Sequence, residues 1–388
     1  MEFGEIAREA LREKGLSLRA AARALNFDPA YLSRALSGRQ RPSRALAEAL
    51  DALLEQNGAL AAAAPAPSPI PVLGELRPDD DMFGRLAAVT NGRARVDSQV
   101  FDWLERSLAD HRRAEDEVGG EPLAPVIKAQ LRTVHSLGQA APAALRDQLV
   151  SLASQYAQFM AWIVNDLGDK AGAVAWYDRA HDWAMEAANP AMAATVLSMK
   201  AHIAWSLGDG PKTIRMGEAA RWHNHRVSHG VDGMAAQMVA RGHALVGDGE
   251  AARRALDEAQ ALISQAADRP EDEPDWMYFY GDDWFTAQRG MIELELGNGE
   301  SAVQLLSQAL DALPHNYRRD RAWYAACLAK AHSVAGDLDA ASDLAGQTAP
   351  DALALNRYAV DELRGVAAVI DAKLPRTGRD LSEALRTT

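Results

Sequence analysis

Arginine and serine side chains cluster near the N-terminus, where they could bind phosphates and the edges of bases. From Arg19 to Arg44 the chain carries six arginines and one acidic residue, Asp28. Neutralising phosphates supplies much of the affinity of proteins for nucleic acids. Residues 1–60 hold nine basic and eight acidic residues, whereas the whole chain has a net charge of −13. The acidic remainder would repel DNA and so confine it to this surface.

Two short helices are predicted to position these side chains. Residues 16–38 read LSLRAAARALNFDPAYLSRALSG. Ser17 suits the N-cap of the first helix and Asn26 suits a tight turn. Asp28 and Pro29 suit the start of the second helix. The spacing predicts a helix-turn-helix whose second helix enters a DNA major groove.

The segment resembles the Xre/Cro-type helix-turn-helix of bacterial and phage regulators. The resemblance lies in Ser17, Ala22, Leu25, Phe27, Tyr31, Leu32, Ser33, Arg34, Gly38, Arg41, Pro42, Ser43, Leu46 and Leu50. One departure is Leu18, where the family usually has a Gln that contacts the DNA backbone, and Arg19 could substitute for it. An alanine-rich helical cap would explain the helices but not the local charge.

The resemblance implies a double-stranded DNA operator as partner. We predict DNA contacts from Arg19, Ala30, Ser33, Arg34, Arg39, Arg41 and Ser43. Ser33 and Arg34 would contact base edges, and the flanking arginines with Ser43 would contact phosphates. Two half-sites one helical turn apart require two copies, which predicts a homodimer.

The bulk composition predicts an all-α protein. The 48% hydrophobic content of the 388 residues is inflated by alanine, which favours helices, and no alternating strand pattern occurs. No secretory or membrane-spanning stretch is present, and the single cysteine, Cys327, suits a reducing cytoplasm. We therefore expect a cytoplasmic protein that does not enter a membrane.

The chain is predicted to contain two folded parts joined by a linker. Five prolines from Pro65 to Pro78 predict an extended, semi-rigid segment. The predicted boundaries are 1–58 for the DNA-binding domain, 59–81 for the linker, 82–375 for a ligand-binding and dimerisation domain, and 376–388 for a C-terminal tail.

A glycine recurs between helical patterns throughout the second part. Gly168, Gly208, Gly247, Gly297 and Gly336 are spaced by 40, 39, 50 and 39 residues. Such a period predicts stacked helical hairpins with a left-handed residue at each turn. The segment RPEDEPDWMYFYGDD accounts for the longest spacing, and its acids predict a solubilising insertion. Residues 82–150 are expected to add one or two degenerate repeats.

The array resembles tetratricopeptide repeats (TPR), which form a right-handed superhelix. Small residues stand at three family positions: Ala161, Ala201, Ala240, Gly290 and Ala329 before the glycines, then Ala173, Ala252, Ala302 and Ala341, and then Ala180, Ala220, Ala259 and Ala309. Thr213 and Thr348 depart from this pattern. The whole chain resembles actinobacterial Xre-type regulators with a TPR domain, and its architecture is similar to that of peptide-sensing quorum regulators. That resemblance implies a TPR domain that dimerises and binds a short signalling peptide.

Family positions facing the groove supply the predicted ligand-binding residues. These are Gln158, Trp162, Asn165, His202, Trp205, Gln237, Arg241, Trp284 and Lys330. Amides could match a peptide backbone, tryptophans could form apolar pockets, and the two cations could take a carboxylate. Alternatively, the tryptophans are inter-repeat core, the ligand is a small molecule, or the array is a protein-interaction scaffold with an accessory DNA-binding domain.

Other patterns are too incomplete to indicate catalysis or cofactors. His223, His225 and His229 lack a cysteine or carboxylate that would complete a metal site. GDGPKT at 208–213 lacks the spacing of a phosphate-binding loop. No nucleophile–base arrangement can be assembled by spacing. We predict a regulator that is not an enzyme and needs no metal or cofactor.

Overall fold

The computed structural model describes residues 3–25, 27, 29–37, 42, 44–63, 86, 89, 98–222, 227–278, 282–315 and 317–386. Over these residues it is all-α, with no β-strand. The chain divides into two compact units, Met1–Asp80 and Asp81–Thr388. The described residues contain no helix long and apolar enough to cross a membrane.

The N-terminal unit is a small helical bundle. Its helices are α1 (Phe3–Glu13), α2 (Leu18–Leu25), α3 (Pro29–Leu36), α4 (Arg44–Leu54) and α5 (Ala59–Ala63). Leu32, Leu46 and Leu50 are fully buried among them. The predicted linker begins at Ala59, but α5 belongs to this bundle, because Leu60 is buried and its backbone N–H donates to Asp51 at 2.7 Å. The prolines of the predicted linker lie outside the described residues.

The second unit stacks helices in antiparallel pairs. In chain order they are α6 (Ser98–Val118), α7 (Ala124–Ala140), α8 (Ala143–Asp166), α9 (Lys170–Glu186), α10 (Pro190–Ser206), α11 (Gly210–Arg221), α12 (His229–Leu245), α13 (Gly249–Asp268), α14 (Asp282–Glu295), α15 (Gly299–Ala312), α16 (Arg318–Ala335), α17 (Leu338–Leu355), α18 (Arg357–Lys373) and α19 (Pro375–Ala384). Five pairs, from α8–α9 to α16–α17, form the predicted superhelix.

Each of the five recurring glycines joins the two helices of a pair. Their φ angles are 90°, 74°, 81°, 80° and 91°, in the left-handed region that favours glycine, so the turn prediction is confirmed. The following aspartate caps the next helix in four of the five turns; Asp169, for example, accepts from the Gly172 N–H at 2.8 Å. At the fourth turn Asn298 makes no such bond and instead donates to Glu293.

Small residues allow the paired helices to approach closely. All the predicted small positions are buried, including the departures Thr213 and Thr348. At Gly290 a Cβ would lie 2.7 Å from the Leu306 Cγ, so even a methyl group would require the neighbouring helix to move. The packing density of these interfaces therefore depends on alanine and glycine.

Two segments differ from their predictions. Residues 98–118 are expected to belong to a degenerate repeat, but α6 packs mainly against α16 and α8 and contacts α7 no more than it contacts a short 3₁₀ turn, Asp275–Met277. The expected C-terminal tail is mostly α19, which packs on α17 and α18 and buries Leu381 and Leu385. Helix α19 is amphipathic, and its apolar face packs on the neighbouring helices.

The turn glycines generate a stability prediction with an internal control. Gly247→Ala meets no atom within 4 Å but keeps φ at +81°, so it should lower the free energy of unfolding by about 1 kcal/mol. Gly346→Ala also meets no atom but lies within α17, and it should raise stability by about 0.5–1 kcal/mol. Urea unfolding followed by circular dichroism measures both. If both variants changed the free energy of unfolding in the same direction, backbone conformation could not explain the two effects.

Candidate DNA-binding and effector sites

The N-terminal unit exposes a polar surface on α3. Ser33 and Ser37 are exposed, Arg34 is half-buried, and Leu32 and Leu36 are buried on the opposite face. Ala30 lies in the first turn of α3. The polar side chains of α3 therefore face away from the core, while the leucines anchor the helix.

The helix before α3 is capped as predicted. The Ala20 N–H donates to the Ser17 Oγ at 3.1 Å, which starts α2, and Arg19 in its first turn is exposed. Arg39, Arg41 and Ser43, predicted to contact phosphates, lie outside the described residues, as do Asn26, Asp28 and Gly38.

Sequence reasoning missed two residues that hold the second helix. Arg8 on α1 donates to the Leu36 carbonyl at the C-terminal end of α3, where carbonyls lack a partner within the helix. A Cβ at Gly4 would collide with the same carbonyl. The bare backbone of α1 at Gly4 and the Arg8 guanidinium therefore set the position of α3.

The second unit has a partly open cavity of about 190 Å³ on its inner face. The first helix of each pair contributes to the wall, whereas the partner helices α9, α11, α13 and α15 do not. Seven of the nine predicted ligand residues line it: Gln158, Trp162, His202, Trp205, Gln237, Arg241 and Trp284. Asn165 is buried away from the wall, and Lys330 pairs with Glu362 at 2.9 Å.

Tryptophans and their neighbours form a connected aromatic cluster along the wall. The ring of His202 lies between those of Trp162, Trp205 and Tyr358, with centroid distances of 5.5–5.7 Å. Trp205 meets Trp323 edge-on at 6.3 Å. Burial, together with the nearby cations Arg241, Arg319 and Lys170, lowers the pKa of His202 to about 3. His202 is therefore neutral at physiological pH.

Two of the predicted polar residues of the wall, Gln237 and Arg241, bind Gln288, which the sequence did not predict. The Gln288 Oε1 accepts from the Gln237 Nε2 at 2.8 Å and from the Arg241 Nη2 at 2.6 Å. The Arg241 guanidinium also stacks on Trp205, 4.5 Å from the ring centroid. These polar groups stabilise α12 and α14 against each other, and they are already engaged within the protein.

A buried ion cluster forms another part of the cavity wall. Arg319 on α16 donates through Nε to Asp166 on α8 at 2.8 Å, and its Nε lies 3.0 Å from the Glu115 Oε1 on α6. All three side chains are 7% exposed or less. Burial disfavours the charge of Arg319, but attraction to Asp166, Glu115 and Asp320 outweighs this and raises its pKa. Three helices that are distant in sequence are thereby joined.

The insertion before α14 also reaches the cavity, which its acidic composition did not predict. Trp276 and Tyr278 line the wall. The Tyr278 hydroxyl donates to Asp116 on α6 at 2.6 Å. Glu273 accepts from the Ser228 hydroxyl at 2.6 Å and from the Gly230 N–H at 2.9 Å, at the start of α12. The insertion is therefore attached to the helices at two points, Glu273 and Tyr278, rather than only solubilising the chain.

Comparison with known proteins identifies the N-terminal unit. Residues 2–64 match the family model described as "Helix-turn-helix domain". The match ends after α5 and so agrees with the bundle observed here. No curated protein matches the chain. The protein therefore carries a helix-turn-helix domain, the class of module that directs DNA-binding regulators to their sites.

No metal site is evident in the described part of the chain. No group of three or more His, Cys, Asp or Glu side chains there is placed to hold an ion. His223 and His225 fall in the gap at 223–226. Cys327 is buried, and burial raises the pKa of its thiol well above the ordinary value, which disfavours the reactive thiolate.

Removing the Arg319 guanidinium should strongly destabilise the second unit. Arg319→Met leaves Asp166 and Glu115 buried without their cation, at a cost of about 3–5 kcal/mol. The neighbouring Arg318 forms a similar pair with Asp351 at 2.7 Å, but both side chains are about half exposed. Arg318→Met should cost at most about 1 kcal/mol. Equal losses in chemical denaturation would refute the assignment of the buried cluster as a structural tie.

Asp116 should make stability depend on pH. Burial raises its pKa to about 7, from an ordinary value of 3.8. Between these values the folded state binds more protons than the unfolded chain, so the stability contributed by Asp116 falls as pH rises. The Tm of Asp116→Asn relative to wild type should therefore increase from pH 5 to pH 8 in calorimetry. Exposed Asp110, on the same helix, supplies the control Asp110→Asn. A difference that is constant with pH would contradict the assignment.

Proposed function

We propose that the protein is a sequence-specific DNA-binding transcription regulator of the Xre/Cro type, with a TPR-like second unit that binds an effector in its inner cavity. The match of residues 2–64 to a helix-turn-helix domain carries the proposal. The exposed polar face of α3 and the basic residues around it support the DNA-binding role. The lined cavity supports the effector role.

A small molecule is the favoured effector. A cavity of about 190 Å³ is only somewhat larger than one that holds a single benzene ring. An extended peptide would need a longer groove and amide groups able to pair with its backbone, whereas Gln237 and Gln288 are bonded to each other. A short signalling peptide therefore stands as the second candidate, with at most one end residue in the cavity.

Helix α6 is proposed to transmit occupancy of the cavity to the DNA-binding unit. It contributes Arg112, Glu115 and Asp116 to the wall, and among the described residues it is the first long helix of the second unit. An effector that alters the contacts of α6 would change the conformations open to the proline-rich segment that connects α6 to α5. Such coupling is reciprocal, so DNA must change effector affinity by the same factor.

Two copies are proposed to bind one operator. A helix-turn-helix reads a half-site, and a second half-site one turn away requires a partner domain. Light scattering of the full chain, free and with operator DNA, measures the number of copies. A scaffold that binds another protein, with DNA as an anchor, is the alternative; it predicts no dependence of DNA affinity on any cavity ligand.

Substitutions on α2 and α3 should affect DNA binding differently. Arg34→Ala should weaken binding to the preferred sequence by about 1–3 kcal/mol and reduce discrimination between sequences. Arg19→Ala should weaken binding to all sequences alike and reduce the salt slope by about 1. Fluorescence anisotropy on fragments selected from random DNA, across a salt series, measures both effects.

Arg12→Ala provides the matched control, because Arg12 is an exposed arginine on α1, which is not one of the predicted contact helices. Its Nε donates only locally, to the Arg8 carbonyl. It should retain affinity within about twofold. Thermal unfolding of each variant separates lost contacts from lost folding. Failure of the wild-type chain to bind any DNA fragment at low salt would refute the proposal.

A further inference from the structure

Arg112 is a buried cation on the cavity wall without a carboxylate partner among the described residues. Its side chain is on α6, and the residue is 6% exposed. Its one side-chain hydrogen bond is a long contact of 3.5 Å from Nη2 to the Gln158 Oε1. Glu105 and Asp275 attract it at longer range, but neither forms an ion pair with it. A guanidinium has five N–H donors, so most of its capacity is unused.

Aromatic faces hold this guanidinium in place instead. It lies 5.4 Å from the centroid of Trp276 and 5.9 Å from that of Phe159. Trp276 is itself oriented, because its Nε1 donates to the Thr195 Oγ1 at 3.1 Å. Burial lowers the pKa of Arg112 to about 10, which still leaves it charged at neutral pH. The cation is therefore positioned and desolvated before any ligand arrives.

The carboxylates of the wall are already engaged elsewhere. Glu115 and Asp320 lie 3.0 and 3.3 Å from the Arg319 guanidinium, and Asp116 accepts from Tyr278. Arg319 offsets part of the charge of these carboxylates. The Arg112 guanidinium has aromatic and amide neighbours, and no carboxylate of the described residues lies at ion-pair distance from it.

We propose that the effector is a small aromatic acid, with its carboxylate on Arg112 and its ring among the aromatic and methionine side chains of the wall. This inference rests on the proposed effector role of the cavity. A carboxylate bonds to a guanidinium in a bidentate manner, and a low-dielectric wall strengthens that bond. Trp162, Trp205, Met199 and Met234 supply flat and adaptable surfaces for one or two rings.

The charge of the ligand can be tested with matched probes on the full wild-type chain. Benzoate, indole-3-carboxylate and 2-naphthoate would be titrated by calorimetry beside their carboxamide and aminomethyl analogues. At least one acid should bind, on the order of 10- to 100-fold more tightly than its own amide, with the amine weaker still. Equal binding of acid and amide, preference for the amine, or no binding by any probe would overturn the inference.

Variants then test the anchoring residue. Arg112→Gln should reduce affinity for the acid to that for the amide and leave amide binding unchanged. Arg112→Lys keeps the charge and should give intermediate affinity. Arg106→Gln, on the exposed side of the same helix, should bind like wild type. If Arg112→Gln does not fold, the wild-type probe series still decides the question. Retention of acid selectivity in a folded Arg112→Gln would overturn the assignment.

DNA binding measured on the same preparations keeps the two proposals separate. A chain that binds an aromatic acid but no DNA would refute the regulator and leave the ligand assignment standing. A chain that binds DNA selectively but none of the acids would refute the ligand assignment alone. A chain that does both, with DNA affinity changed by the acid, supports both.

Discussion

The second unit depends on one buried charge, that of Arg319. Its carboxylate partners come from α6 and α8, at the opposite end of the helix array. A cation so deeply buried requires these partners, since its desolvation would otherwise cost several kcal/mol. Stacked helix pairs contact mainly their neighbours and form open arrays. The Arg319 cluster adds a contact between helices that are distant in the chain, and Arg319 also lines the cavity.

The turns and the close helix contacts of the repeats could be predicted from the sequence. Gly208 and Gly336 mark turns because a left-handed φ disfavours residues other than glycine. Regularly spaced alanines mark helix contacts because larger side chains do not fit between closely packed helices. Counting from these landmarks also selected Trp162, His202 and Trp205, which share the cavity wall. Both signals work because they concern residues a few positions apart.

The rest of the cavity could not be predicted, because it depends on contacts across the chain. Arg112 and Arg319 lie outside the positions counted from the turn glycines, so the sequence did not indicate that their side chains face the cavity. Lys330 stands at a groove position but pairs with Glu362, which belongs to α18, a helix outside the five pairs. Asp166 and Glu115 look like ordinary surface acids in sequence. Only the fold shows that they share one cation.

The insertion that supplies Trp276 and Tyr278 has a consequence for the diversity of such proteins. These side chains reach the cavity from a segment between α13 and α14. Neither of them belongs to the paired helices. Glu273 attaches this segment to the start of α12 through two hydrogen bonds. Replacing the insertion would therefore alter one side of the cavity while the turns and helix contacts stay intact. The part of the cavity wall that the insertion supplies can therefore diverge while the helix pairs that supply the rest of the wall keep their sequence.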